Sequence, residues 1–252
     1  MLEVNDFFSA KNTVHRLTEE DREGTKNYLQ CIEAFSRTTY KSIYVIDYKE
    51  KGFEYVSDNP LFLCGHTPQE VIELGYSFYF KYVPEQDLEL LLKINDVGFN
   101  FYDQIPLEDR KHYTISYDFH LKNPNGKTIL INQKLTPLFL NSRGKIWKAI
   151  CLVSLSSAGN SGNIKIYKKG TNEIFTYNLK EDYWSKSEKV KLTAREKEIL
   201  ELSARGYTIS EIAENIFVSP DTVKFHRRKI FDKLEVTNIS EALTYAINNK
   251  LI

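Results

Sequence analysis

The densest chemistry in this sequence lies in ten positions near its carboxyl end. Lys224, Arg227, Arg228, Lys229 and Lys233 stand there against a single acid, Asp232. Cations at that density suit a polyanion, because Arg and Lys donate to phosphate oxygens and pair with guanine O6 and N7 in the major groove. Helical spacing sorts the segment into two faces. Asp221, Lys224, Phe225 and Arg228 fall on one stripe, at i, i+3, i+4 and i+7, while Val223, Ile230 and Leu234 face the other way. An isolated charge run is more often a solvated helix face than a binding surface, so the surrounding elements must decide.

Other chemistries find less support. Gly126-Lys127-Thr128 looks like the end of a phosphate loop, but Leu121 stands where the first glycine is needed. The G-x-S-x-G, H-E-x-x-H and G-x-G-x-x-G patterns are absent, and Glu19-Glu20 are adjacent acids, not a pair set across a cleft. No catalytic residue and no enzyme activity are expected. Cys31, Cys64 and Cys151 are far apart and form no C-x-x-C pair, which argues against a disulfide framework and a zinc site and for small core residues. No metal ligand set is expected. His66, His112 and His120 invite a haem reading, but His120 falls on the polar face of a strand and the other two lie beside turns, which favours surface histidines. Asp47 ends a strand, as a phosphoacceptor would, yet the later run of antiparallel strands does not fit the alternating βα order of a receiver.

A chain of 252 residues has room for two modest domains. Its hydrophobic content of 42% and charged content of 27% are ordinary for a folded protein and argue against long disorder. The formal net charge is zero, so any attraction to nucleic acid must be local. No stretch approaches the roughly eighteen apolar residues that cross a bilayer, and Met1 to Glu20 lacks the basic-then-apolar order of a signal peptide. A cytoplasmic protein with no membrane contact is expected.

From Leu192 onward, four helices can be placed by their caps. Thr193-Ala194-Arg195-Glu196, Thr208-Ile209-Ser210-Glu211 and Asn238-Ile239-Ser240-Glu241 read as capping boxes, in which the first side chain accepts from the N3 amide and the Glu reaches back. Gly206 ends the first helix. After the turn Phe217-Val218-Ser219-Pro220, Ser219 caps a helix with Pro220 at its first position, running to about Leu234. Short helix, tight turn and longer helix make a helix-turn-helix. Ile239, Ala242, Leu243, Ala246 and Ile247 share one face of the last helix.

Leu192-Thr193-Ala194-Arg195-Glu196 and Thr222-Val223-Lys224-Phe225-His226, with Ile230, Lys233-Leu234 and Glu241-Ala242, resemble the LuxR-type (GerE-like) helix-turn-helix of bacterial transcription regulators. The resemblance covers residues 190–252 without a gap. It implies that the third helix enters the major groove of double-stranded DNA, with Lys224, Phe225 and Arg228 at base edges and Thr222, Arg227 and Lys229 at phosphates. It also implies a homodimer, with Leu243, Ala246 and Ile247 of the fourth helix at the dimer contact, and RNA polymerase as a possible further partner. Phe225 departs from a polar expectation at a groove position and suits either a thymine methyl or a partner contact. For His226, a phosphate contact and a packing role stay open.

The preceding part of the chain reads differently. A helix is expected over Asp21 to Tyr40, then a hairpin from Ile43–Ile46 and Phe53–Val56 around Lys49-Glu50-Lys51-Gly52. Thr67-Pro68-Gln69-Glu70 starts one helix, and Pro84 to Lys93 gives another. In Tyr113–Leu121 apolar and polar residues alternate, predicting one packed face and one wet face. Asn123-Pro124-Asn125-Gly126 and Asn141-Ser142-Arg143-Gly144 then turn the chain into Thr128–Leu140 and Ile146–Leu155. This order of elements, with Ser57-Asp58-Asn59-Pro60 and the Asn-Pro-Asn-Gly-Lys hairpin, resembles a PAS domain over residues 41–157. The resemblance implies a sensory or dimerisation domain; its aromatic strand faces suit either plain core or a small-molecule pocket. The fold expected is therefore α+β: a 1–40 helical extension, a PAS-like antiparallel sheet with helices, a 158–189 linker with a small hairpin, and an all-α four-helix domain over 190–252. The rival to a transcription regulator is a protein-binding adaptor whose basic helix meets a protein partner.

Overall fold

Alternating residues build the long strands of an eight-stranded sheet, ordered β2-β1-β5-β4-β3-β6-β7-β8. The strands are β1 (Ser42–Asp47), β2 (Gly52–Val56), β3 (Tyr113–Lys122), β4 (Thr128–Leu140), β5 (Ile146–Leu155), β6 (Gly162–Lys168), β7 (Glu173–Asn178) and β8 (Tyr183–Glu188). Pairing is antiparallel at each junction from β2 to β7. The computed structural model describes residues 2–23, 25, 27–249 and 251–252. The chain divides into two units: Met1–Leu155 with Asn160–Ser187, and Glu188–Ile252 with Ser156–Gly159.

In the larger unit the first five strands have the PAS-like order, with helices inserted between β2 and β3. These are α3 (Pro60–Leu63), α4 (Pro68–Leu74), α5 (Ser77–Tyr82) and α6 (Glu85–Asp103). The Thr67 hydroxyl and the Glu70 carboxylate close the expected capping box around Pro68. The helix expected over Pro84–Lys93 runs on to Asp103, because Ile94, Val97, Phe99 and Tyr102 continue its buried face. Trp147, Ala149, Cys151 and Val153 of β5 point into the same core, while Leu155 at the strand end is exposed.

Gln133 and three tyrosines form a hydrogen-bonded network inside this core, where Trp147 Nε1 is buried without a partner among the described residues. The Tyr44 hydroxyl lies 2.7 Å from Gln133 Oε1 and 2.7 Å from the Tyr79 hydroxyl, and Gln133 Nε2 donates to the Tyr117 hydroxyl at 2.5 Å. Burial holds the phenols of Tyr44, Tyr79 and Tyr117 far above their ordinary pKa, so all three are neutral at any physiological pH. Tyr44→Phe leaves the Gln133 carbonyl without a partner in an apolar setting and should cost about 1 to 3 kcal/mol. Denaturant unfolding followed by tryptophan fluorescence checks this; an unchanged midpoint would show that the hydroxyl carries no net stability.

The opposite sheet face is covered in part by α2 (Tyr28–Ser36). Its Tyr28, Leu29 and Ile32 pack on Ile43, Val45, Ile150 and Leu152. Beside them Lys148 is buried, with Nζ 2.6 Å from Glu54 Oε1 and 3.5 Å from Asp47 Oδ2, and the Tyr28 hydroxyl also bonds Glu54. The single helix expected over Asp21–Tyr40 is instead α1 (Glu19–Glu23) and α2, because Asn27 takes a left-handed φ of 64° just before Tyr28. Gly24 and Lys26 of that expectation lie outside the described residues.

Several other expectations are corrected. The 1–40 segment is not a mere extension, since Phe7 and Val14 are buried in the core of the unit. The stretch 158–189 is not a linker: β6 pairs with β3, and Phe175 and Trp184 pack on Phe101 of α6 with ring centroids 5.0 and 5.1 Å apart. The face of β3 expected to meet water is partly closed, because Ser116 and Asp118 are buried and bonded by Asn132. Cys64 and Cys151 are core residues, but Cys31 sits exposed on α2. Among the described residues no helix is long and apolar enough to cross a membrane.

Candidate nucleic-acid interface

The smaller unit is built from α7 (Ala194–Ala204), α8 (Ile209–Asn215), α9 (Pro220–Leu234) and α10 (Ile239–Asn248). Capping boxes at Thr193 and Thr208 start α7 and α8, and Gly206 follows α7 with φ at +88°. Ser219 Oγ accepts from the Thr222 amide, with Pro220 in the first helical turn of α9. The expected box at Asn238 closes differently. Asn238 accepts from the Glu241 amide, but the Glu241 carboxylate reaches past it to the Thr237 amide and hydroxyl, at 2.8 and 2.9 Å.

Val223, Ile230 and Leu234 anchor α9 in a core with Ile199, Leu200, Ile212 and Ala213. That leaves Lys224, Phe225, Arg228 and Lys229 exposed together, and Thr222, His226 and Arg227 half-buried at their flanks. The seven are side by side on one short helix. Their surroundings differ. Lys224 Nζ is 3.0 Å from Asp221 Oδ1, and both are well exposed, so water and salt screen the pair and leave the lysine available. Lys229 Nζ lies 4.5 Å from the Phe225 ring centroid, and the His226 ring packs 5.8 Å from the same ring. Phe225 is thus a platform between a cation and an imidazole. The Arg227 guanidinium sits 5.9 Å from the Phe231 ring, and burial draws its pKa down while leaving it charged.

Lys233 is exposed too, but its charge is already paired. Its Nζ lies 2.7 and 2.8 Å from the two oxygens of Glu196, an α7 carboxylate that is almost wholly buried. The acid that takes up Lys233 is thirty-seven positions away, beyond the reach of local spacing. In α10, Ala246 is wholly buried in its own unit and presents no surface; of the three expected dimer residues, Leu243 is half-buried and Ile247 is 54% exposed. Phe217, in the turn between α8 and α9, is 95% exposed with φ at +56°. Its sequence position marked only a turn.

In the larger unit the aromatic strand faces enclose a cavity of about 90 Å³. Tyr48, Tyr76, Tyr79, Tyr117 and Gln133 line it with aliphatic side chains, and no charged side chain does. The three histidines considered for haem stand elsewhere. His120 Nδ1 is 2.8 Å from Asp87, His66 bonds the Tyr82 hydroxyl, and His112 lies 3.7 Å from Asp109. Among the described residues no three His, Cys, Asp or Glu side chains group as metal ligands.

A capped helix-turn-helix with an exposed basic stripe defines the class of domain that these residues form. Residues 190–246 match the family "Bacterial regulatory proteins, luxR family", so the carboxyl-terminal unit is a LuxR-type helix-turn-helix domain. The oxygen regulatory protein NreC of Staphylococcus epidermidis is 36% identical over 91 residues, covering 36% of this chain and 42% of that protein. NreC of Staphylococcus carnosus is 46% identical over 61 residues, 24% of this chain and 28% of its own. The chain therefore spans less than half the length of the curated relatives it matches. Among solved structures, the Vibrio cholerae VqmA dimer in the absence of target DNA is 20% identical with 88% of each chain covered, at a TM-score of 0.33. The response regulator ChrA of a heme-sensing two-component system is 38% identical over 26% of this chain and 33% of its own, at a TM-score of 0.25.

Proposed function

We propose that this chain is a transcription regulator that binds double-stranded DNA through α9 and takes its signal through the PAS-like unit. One observation carries the reading: Lys224, Phe225 and Arg228 share the exposed stripe of a helix whose opposite side is fully buried. A helix held that way enters a major groove as a rigid element, with Arg228 and Lys224 at base acceptors and Phe225 beside a thymine methyl. Thr222, Lys229 and, from its half-buried position, Arg227 serve the phosphates that set orientation. His226 supports the Phe225 ring.

The chain works as a cytoplasmic homodimer without catalysing a reaction, and Leu243 and Ile247 of α10 supply the dimer contact. Two recognition helices then meet half-sites about 34 Å apart. RNA polymerase is the partner such a regulator would address from DNA. The cavity in the PAS-like unit admits a small uncharged ligand, since its wall supplies phenols and two side-chain amides but no counter-ion.

Selection of bound fragments from genomic DNA by the purified chain tests the reading, and enrichment of a shared sequence is the expected result. On a selected duplex, Lys229→Ala should weaken binding to all sequences alike and reduce the salt slope by about one unit. Failure to enrich any fragment at low and moderate salt would favour the adaptor reading, in which the basic stripe meets a protein.

A further inference from the structure

A second concave site lies in the larger unit, away from α9. The segment Thr13–Thr18 and the turn between β4 and β5 enclose a cleft of about 330 Å³. Its lining is unlike that of the aromatic cavity: Arg16, Arg143, Lys145 and His15 face it with hydroxyls and the Asn141 side chain, and no carboxylate or aliphatic side chain lines it. Three permanent cations thus line one cleft with no carboxylate among them. Cations gathered without acids repel one another, and an anion among them removes that repulsion.

Local structure holds the cleft open. Asn141 Oδ1 accepts from the Arg143 and Lys145 amides at 3.1 and 3.0 Å, and the Gly144 carbonyl is gripped by Arg110 Nη1 at 2.9 Å. Gly144 has a φ of +74°, and a Cβ there would overlap Leu107, so only glycine fits this turn. Lys145 Nζ donates to the Ala10 carbonyl and ties the turn to the amino-terminal segment. The Asp21 carboxylate accepts from the Thr18 amide at 2.8 Å and does not line the cleft. Thr13, 8% exposed, also lines the cleft and brings a hydroxyl to its wall.

We propose that this cleft binds a small phosphate-bearing molecule carrying at least two negative charges. Guanidinium forks pair bidentately with phosphate oxygens, and Arg16 and Arg143 supply two of them. Lys145 adds a point charge and Thr13 a neutral donor. The volume lies at the lower end of the roughly 300 to 1,000 Å³ typical of small-molecule sites, larger than one inorganic phosphate needs.

Calorimetric titration of the full chain with inorganic pyrophosphate tests the assignment, with citrate as a polycarboxylate of similar charge. Saturable one-to-one binding of pyrophosphate, tighter than that of citrate, is expected. Arg16→Ala with Arg143→Ala should weaken it by about tenfold or more, since each charge-assisted contact contributes that order of affinity. Both arginines are exposed, so the double variant should retain the wild-type fold and duplex affinity. Thr13→Val should weaken binding by about threefold, the scale of one neutral hydrogen bond. Identical titrations for wild type and double variant overturn the proposal, as does citrate binding as tightly as pyrophosphate. A double variant that leaves pyrophosphate binding unchanged but flattens the salt dependence of duplex binding would give the cleft to nucleic acid and overturn it as well.

Discussion

Arg228→Ala is expected to weaken binding to a selected duplex by about five- to 150-fold, a loss of about 1 to 3 kcal/mol, and to relax base preference at one position of the site. The size follows from what the arginine lacks in the free protein. No carboxylate pairs with Arg228 among the described ion pairs, so its guanidinium gives up water and nothing else when it meets a base. Lys224 differs, because it must leave Asp221 at 3.0 Å. That pair is exposed and contributes little, so Lys224→Ala should still cost about 1 kcal/mol or more on the preferred sequence. Competition between the selected duplex and single-base variants separates the two roles. A base contact shows as lost discrimination at one position. A phosphate contact shows as an even loss across sequences with a shallower salt slope. If both variants bind and discriminate as the wild type does, α9 is not the reading helix.

Much of this surface was legible in the sequence because its signals are local. Thr193-x-x-Glu196, Thr208-x-x-Glu211 and Ser219-Pro220 each declare a helix start within four residues, and the period of Val223, Ile230 and Leu234 declares the buried side. The strands β3 to β5 were legible for the same reason, through alternation and the Asn-x-x-Gly turns, and β1 and β2 through short apolar runs around Lys49-Glu50-Lys51-Gly52. What escaped was long-range. Nothing near Lys233 shows that Glu196 will claim it, and nothing in Gly162–Lys168 shows that it will find β3. Short strands around a Lys-Gly turn fit an isolated hairpin as well as a sheet extension. Phe101 meeting Phe175 and Trp184 decides between them, across more than seventy positions. Ala246 was misjudged by a different route: small apolar residues on one helix face suit a self-contact and a core alike, and close packing inside the unit took this one.

The Glu196–Lys233 pair makes a stability prediction whose asymmetry tests the geometry. The Glu196 side chain is 3% exposed, while that of Lys233 is 37% exposed and reaches water. Lys233→Met should therefore strand a carboxylate inside the unit and destabilise it by about 3 kcal/mol, near the lower end for a broken buried pair. Glu196→Gln should cost less, about 1 to 2 kcal/mol, because the freed ammonium can hydrate and the amide oxygen can still accept from the Thr193 amide. Burial pushes the Glu196 pKa up, but hydrogen bonds from Lys233 and Thr193 outweigh it and hold the carboxyl below its ordinary 4.5. A carboxyl depressed in the folded state contributes stability above its unfolded pKa and loses it as pH falls through the folded value. The wild type should accordingly lose stability on acidification below about pH 4.5, and Glu196→Gln should flatten that part of the profile. Thermal unfolding of the full chain at several pH values, followed by circular dichroism at the helical band, reads both effects. Equal losses in the two variants would mean that the two ends of the pair are equally hydrated, contrary to the enclosure of Glu196. A profile unchanged in Glu196→Gln would show that this carboxyl does not govern the acid limb.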